Sequence, residues 1–179
     1  TLSIVRFFPE YEKKEHPETI QATAMVFSVG STAVLALVYV TILMAIRPAL
    51  SGVLFALMMI GAVVFIEKSL FQMLLEFLRA RRRINAYSVF TVWQSVATLG
   101  FGVWLALALR RDVAMLLYGS VIGCGLALPF LWRQAAGSSA WRLADVRLSL
   151  AKEMAGYGLP LVAGNLGGWV LSMADRYFL

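Results

Sequence analysis

The chain is poor in the residues on which most soluble enzymes are built. It has one cysteine, Cys124, and one histidine, His16, in 179 residues, and only 15% of its residues are charged. A single cysteine excludes an intramolecular disulfide framework and a cysteine-rich metal site. A single histidine, beside Pro17 in a polar stretch with no Cys, Ser or carboxylate pattern around it, excludes His-paired metal spacing and gives no support to a Ser/His/Asp arrangement. The sequence therefore implies no metal, no cofactor and no catalytic group, and we expect a protein that is not an enzyme. Soluble domains carry about 25% charged and about 45–50% apolar residues. Here 60% of the residues are hydrophobic. A water-soluble domain of this length cannot hide that much apolar surface, and intrinsic disorder is excluded by the same balance. The composition is that of a membrane protein.

What is present is a set of long apolar runs. About 20 predominantly apolar helical residues cross the hydrocarbon core, and five stretches qualify: 20–46, 48–66, 84–109, 113–132 and 154–174. None alternates with the two-residue period of a barrel strand, so helices are the arrangement that satisfies the backbone in lipid. The expected fold is all-α, a polytopic transmembrane helix bundle. Arg47-Pro48 reads as a tight turn with proline in a first helical turn, and Arg110-Arg111-Asp112 as another. The longest polar connection, 133–152, contains Gly137-Ser138-Ser139 and is the expected linker. Its Trp141, Leu143, Val146, Leu148 and Leu150 interleave with Arg142, Arg147 and Lys152, which suits a segment lying along the membrane surface among lipid headgroups.

The net charge of +6 is explained without nucleic acid. Arg6, Lys13, Lys14, the basic cluster at 79–83, Arg133, Arg142, Arg147 and Lys152 fall on one side of the alternating spans. Only Arg47, Arg110 and Arg111 fall on the other. By the positive-inside rule the first side is cytoplasmic. The chain opens at Thr1 and stops in an apolar stretch at Leu179, so we expect a fragment of a longer protein.

Polar residues inside the spans are the candidate functional groups, because ionisable side chains within a membrane mark pathways or binding sites. In the last span Asn165, Gly168, Ser172 and the pair Asp175-Arg176 recur at helical spacing on one face. Asp175 and Arg176 are ligand-contact candidates or, equally, members of interhelical salt bridges. Lys68, Gln72 and Glu76 form an i, i+4, i+8 stripe. If the second helix starts at Pro48 and ends near 66, Lys68 merely snorkels to the inner interface. If the helix is long and shifted inward, the stripe faces a cavity. Small residues at Gly119 and Gly123, and at Gly164 and Gly168, allow helix backbones to approach closely, as static packing or as a sliding contact.

The segment Tyr157-Gly158-Leu159-Pro160-Leu161, with Trp169-Val170-Leu171-Ser172 and Asp175-Arg176-Tyr177-Phe178-Leu179, resembles the seventh helix of bacterial polysaccharide-biosynthesis flippases, within the multidrug/oligosaccharidyl-lipid/polysaccharide exporter superfamily. Val5-Arg6-Phe7-Phe8-Pro9-Glu10-Tyr11 looks like the exit of that family's second helix. The basic turn 79–83 with Asn85 and Tyr87 resembles its turn from helix 4 to helix 5. The resemblance implies a two-lobed parent of twelve to fourteen helices. Residues 1–132 would supply the end of helix 2 and helices 3 to 6 of the N-terminal lobe, 133–152 a cytoplasmic interfacial linker, and 153–179 the first helix of the C-terminal lobe. The implied activity is translocation of an isoprenoid-pyrophosphate-linked oligosaccharide across the bacterial inner membrane by alternating access. Its implied partners are that lipid-linked substrate, membrane lipids and the rest of the chain; no cofactor is implied, and whether an ion is coupled is left open. A lipid II or multidrug exporter of the same superfamily is the nearest alternative. A membrane-embedded glycosyltransferase or polymerase is a further one, but it needs a larger extramembrane region than any here.

Overall fold

The computed structural model describes residues 17–109, 112–136 and 146–156, together with residues 158, 160, 162, 164 and 167. The described residues are all-helical apart from short connections, with no strand among them. The protein is a membrane-embedded, multi-pass helix bundle: four helices are long and apolar enough to cross a membrane. They are α1 (Pro17–Ile46), α2 (Gly52–Ala80), α3 (Ile84–Ala108) and α4 (Val113–Ala136).

Helix boundaries follow local chemistry. α1 passes into a 3-10 turn, Arg47–Ala49, with Pro48 in its first positions. Pro48 therefore opens this short turn rather than the next long helix. α2 begins four residues later than Pro48, where the Ser51 side chain accepts a hydrogen bond from the Leu54 N–H at 3.3 Å, satisfying one of the donors a helix start leaves open. Its first turn is tied back to the connection by Arg47, whose guanidinium carbon lies 5.3 Å from the Phe55 ring centroid.

At its other end α2 does not stop near residue 66. It runs to Ala80, which corrects the span expected at 48–66 and leaves Lys68 well inside the helix. The charged pair Glu67-Lys68 reads as the end of an apolar run, but the apolar face continues through Phe71, Leu74 and Leu78, all fully buried. α2 ends in a Schellman arrangement: the Arg82 N–H bonds the Arg79 carbonyl at 3.0 Å and the Arg83 N–H bonds the Leu78 carbonyl at 2.9 Å. That geometry places Arg82 at φ 56°, left-handed backbone that normally favours glycine.

α2 touches each of the other three helices, and α3 and α4 pack most closely. The principal core lies at the end of the bundle that carries the 79–83 basic cluster. It joins Ile20, Ala24 and Met25 of α1, Phe71, Met73, Leu74, Leu75, Phe77 and Leu78 of α2, and Cys124, Ala127, Leu131 and Ala135 of α4. Leu150 and Met154 complete it from a helical stretch that begins at residue 148. Two parts of the expected 133–152 linker are therefore helical: α4 continues through Arg133 to Ala136, and helix resumes at 148. Leu150, expected at the lipid interface, is instead buried in the bundle, whereas Leu148 is 84% exposed.

Candidate functional site

Among the described residues, one polar region lies at the basic end of the bundle and another at mid-depth. At the basic end, Gln21 is 1% exposed and bridges three elements. Its Nε2 donates to the Ala135 carbonyl at 3.1 Å, and its Oε1 accepts from the Arg81 guanidinium. Arg83 donates to the Gln134 carbonyl at 3.1 Å. The last carbonyls of α4, which have no helical N–H to meet, are thus capped by side chains from α1 and from the turn after α2. Burial, then the neighbouring charge of Arg83, lowers the pKa of Arg81. A guanidinium nevertheless stays protonated in proteins, and its contact with Gln21 is a charge-assisted bond. The buried Thr23 hydroxyl donates to the Thr19 carbonyl at 2.7 Å and accepts the Arg147 N–H at 3.1 Å. The start of α1 therefore holds the 146–156 segment against the bundle.

Of the expected α2 stripe, Lys68 and Gln72 are exposed and Glu76 is only 5% exposed. Gln72 donates to Glu76 Oε1 at 3.2 Å, and Arg79 lies 3.9 Å from Glu76 Oε2. With Arg79 54% exposed, that ion pair adds little stability.

At mid-depth the structure shows a group that the stripe reading passes over. Glu67 is 8% exposed, and its Oε2 meets no hydrogen-bond partner among the described residues. Its other oxygen lies against α4, where a Cβ placed on Gly125 would sit 3.1 Å from Glu67 Oε1. The signal for it was in the sequence. Glu67 is in phase with Phe71, Leu74 and Leu78, at i+4, i+7 and i+11, so it belongs to the buried apolar face. Lys68 lies about 100° away. Nearby, the Thr32 and Ser69 hydroxyls share a hydrogen bond at 2.8 Å between α1 and α2, and Thr98 of α3 lies 3.9 Å from the Cys124 sulfur.

Glycine sets how closely α3 and α4 approach. A Cβ at Gly119 would overlap the backbone of Gly102, and one at Gly123 would lie 2.9 Å from the Ala97 carbonyl carbon. Trp93 donates across the same contact to the Gly123 carbonyl at 2.9 Å. A Cβ at Gly164 meets nothing within 4 Å. Gly168, Asn165, Ser172, Asp175 and Arg176 lie outside the described residues. Among the described residues no group of three or more His, Cys, Asp or Glu side chains is placed to hold a metal ion. No protein-family model, no curated protein and no solved structure matches the chain.

Proposed function

We propose that the chain is part of a flippase that carries an isoprenoid-pyrophosphate-linked oligosaccharide across the bacterial inner membrane by alternating access, in surface polysaccharide biosynthesis. The observation that carries this reading is the exposed pair Lys68 and Gln72 midway along a 29-residue membrane helix. Facing acyl chains, such a pair would be costly, and polar positions of this kind normally line a water-filled cavity or a bundle interior. A sugar headgroup entering hydrocarbon loses its hydrogen bonds to water, at several kcal/mol for each unpaired hydroxyl. A polar wall along α2 offsets that loss, with Gln72 offering donors and an acceptor to hydroxyls and Lys68 a cation to the pyrophosphate. The likeness of the 157–179 segment, the 5–11 segment and the 79–83 turn to the polysaccharide flippases supplies the substrate class. On the same reading Asp175 and Arg176 contribute from the seventh helix.

The test is translocation of a fluorescent lipid-linked oligosaccharide in proteoliposomes containing the full-length protein. Lys68→Ala is expected to lower flux by about tenfold, the loss of one charge-assisted contact, with expression and melting unchanged. Normal flux in both Lys68→Ala and Arg176→Ala would refute the reading.

A further inference from the structure

We propose that Glu67 is a proton-binding site within the membrane, and that loss of its proton loosens the contact between α2 and α4. This needs only that the bundle is membrane-embedded; it does not depend on which substrate the protein carries.

Depth comes first. Glu67 meets α4 at Gly125, about 12 Å along that helix from Arg133 and about 18 Å from Val113, at about 1.5 Å per residue. The hydrocarbon core is about 30 Å thick. With Arg133 at the cytoplasmic boundary, the carboxyl sits within the core and beyond the reach of headgroups.

The surroundings decide its state. A buried, unpaired carboxylate is so costly in an apolar medium that the group takes up a proton instead. No cation faces it. α3 carries only one ionisable side chain, Tyr87, in its first turn. α4 carries Tyr118, Cys124 and Arg133, and α1 carries Glu18 and Tyr39. Cys124, fully buried, is the titratable group of α4 that adjoins Gly125. Lys68 is adjacent in sequence but exposed on a different face.

α4 also supplies an acceptor suited to an acid. Pro129 lies inside the helix, and proline has no N–H to give to the carbonyl four residues earlier. That carbonyl belongs to Gly125, the residue against which Glu67 rests. A membrane helix satisfies such a freed carbonyl from a neighbour. The neutral carboxylic acid has an O–H to donate, whereas the carboxylate has only acceptors and would set negative charge beside the negative end of the carbonyl dipole. Glycine at 125 leaves room for this approach. When the proton leaves to water, the carboxylate keeps an oxygen, Oε2, that meets no donor among the described residues, so α2 must rotate or part from α4 to hydrate it.

A hydrophobic carbodiimide, which reacts with protonated carboxyls, tests this in membrane vesicles holding the full-length protein. Mass spectrometry reads the adduct on Glu67 between pH 5 and pH 9, with Glu67→Gln fixing the assignment. The adduct is expected at low pH and to fall at least tenfold across the range. In parallel, labelling of Cys124 by a membrane-permeant maleimide should rise more steeply with pH in the parent protein than in Glu67→Gln. No adduct at any pH overturns the proposal. A pH-independent yield also overturns it, since that marks a permanently neutral structural acid. Protection of Glu67 by sodium at constant pH overturns it in favour of a metal-cation site. Should Glu67→Gln fail to fold, the pH profile of the parent adduct still decides.

Discussion

Gly119→Ala is the most direct probe of how α3 and α4 are held together. The added methyl is small, but it would overlap the Gly102 backbone, which cannot swing aside as a flexible side chain can. The two helices must separate, and the neighbouring contacts loosen with them: Gly123 against Ala97, and the 2.9 Å bond from Trp93 to the Gly123 carbonyl. Overpacking a well-packed contact costs about 1–3 kcal/mol. A clash with the α3 backbone at Phe101 and Gly102 belongs at the upper end, so we expect a loss of about 3 kcal/mol, or about a hundredfold in the folding equilibrium. Gly30 and Gly100 provide internal controls, because a Cβ at either meets nothing within 4 Å. There, replacement by alanine removes only the helix penalty of glycine and should stabilise by about 0.5–1 kcal/mol. Thermal unfolding of the purified protein in detergent can be followed by the unmasking of fully buried Cys124 to a fluorogenic maleimide. Gly119→Ala should melt well below the parent, and Gly30→Ala at or above it. Equal melting of the two variants would refute the claim that backbone proximity holds this pair.

Two further substitutions test the basic end. Arg82→Gly should raise stability by about 1 kcal/mol, because the left-handed backbone at φ 56° is costly to a side chain and free of steric cost to glycine; the same melting assay reads it, and Arg82→Ala should show no such gain. Gln21→Leu should cost about 1–3 kcal/mol, because it strands the buried Ala135 carbonyl and removes the acceptor of the half-buried Arg81 guanidinium. Hydrogen exchange in the last turn of α4 should rise with it, and unchanged protection there would count against the capping role.

Three of the spans could be read from apolar run length alone. The expected 20–46, 84–109 and 113–132 fall on α1, α3 and α4 within a few residues, because charged or polar turns bound those runs on both sides. α2 resisted the same reading because its run is interrupted. Run length treats Glu67 and Lys68 alike as charges, whereas the helix treats them by phase, burying the first with Phe71 and Leu74 and exposing the second. Glu67 was hidden for the same reason, since a stripe drawn through Lys68, Gln72 and Glu76 follows the neighbouring face. The closeness of Gly119 to Gly102 was only half legible. The small-residue spacing marks a contact face on α4 but says nothing of which helix meets it. Leu150 and Met154 entered the core because the chain returns to the basic end after α4, a tertiary fact that local amphipathicity does not carry. The expected fifth span, 154–174, and its polar face lie mostly outside the described residues.

The closeness of α3 and α4 also bears on the order in which the bundle assembles. The two helices are consecutive, and only residues 109–112 separate them. Closing so short a loop sacrifices little chain entropy, and contacts near in sequence form faster than distant ones. The pair can therefore join as a hairpin as soon as both helices have entered the bilayer. The α1 contacts of Gln21 with Ala135 and of Thr23 with Arg147 span more than a hundred residues and cannot close until 135 and 147 have emerged. On the ribosome, α1 and α2 are made first, but the basic-end core is sealed last. Until then the acid at residue 67 waits in the membrane without the glycine seat that α4 brings to it.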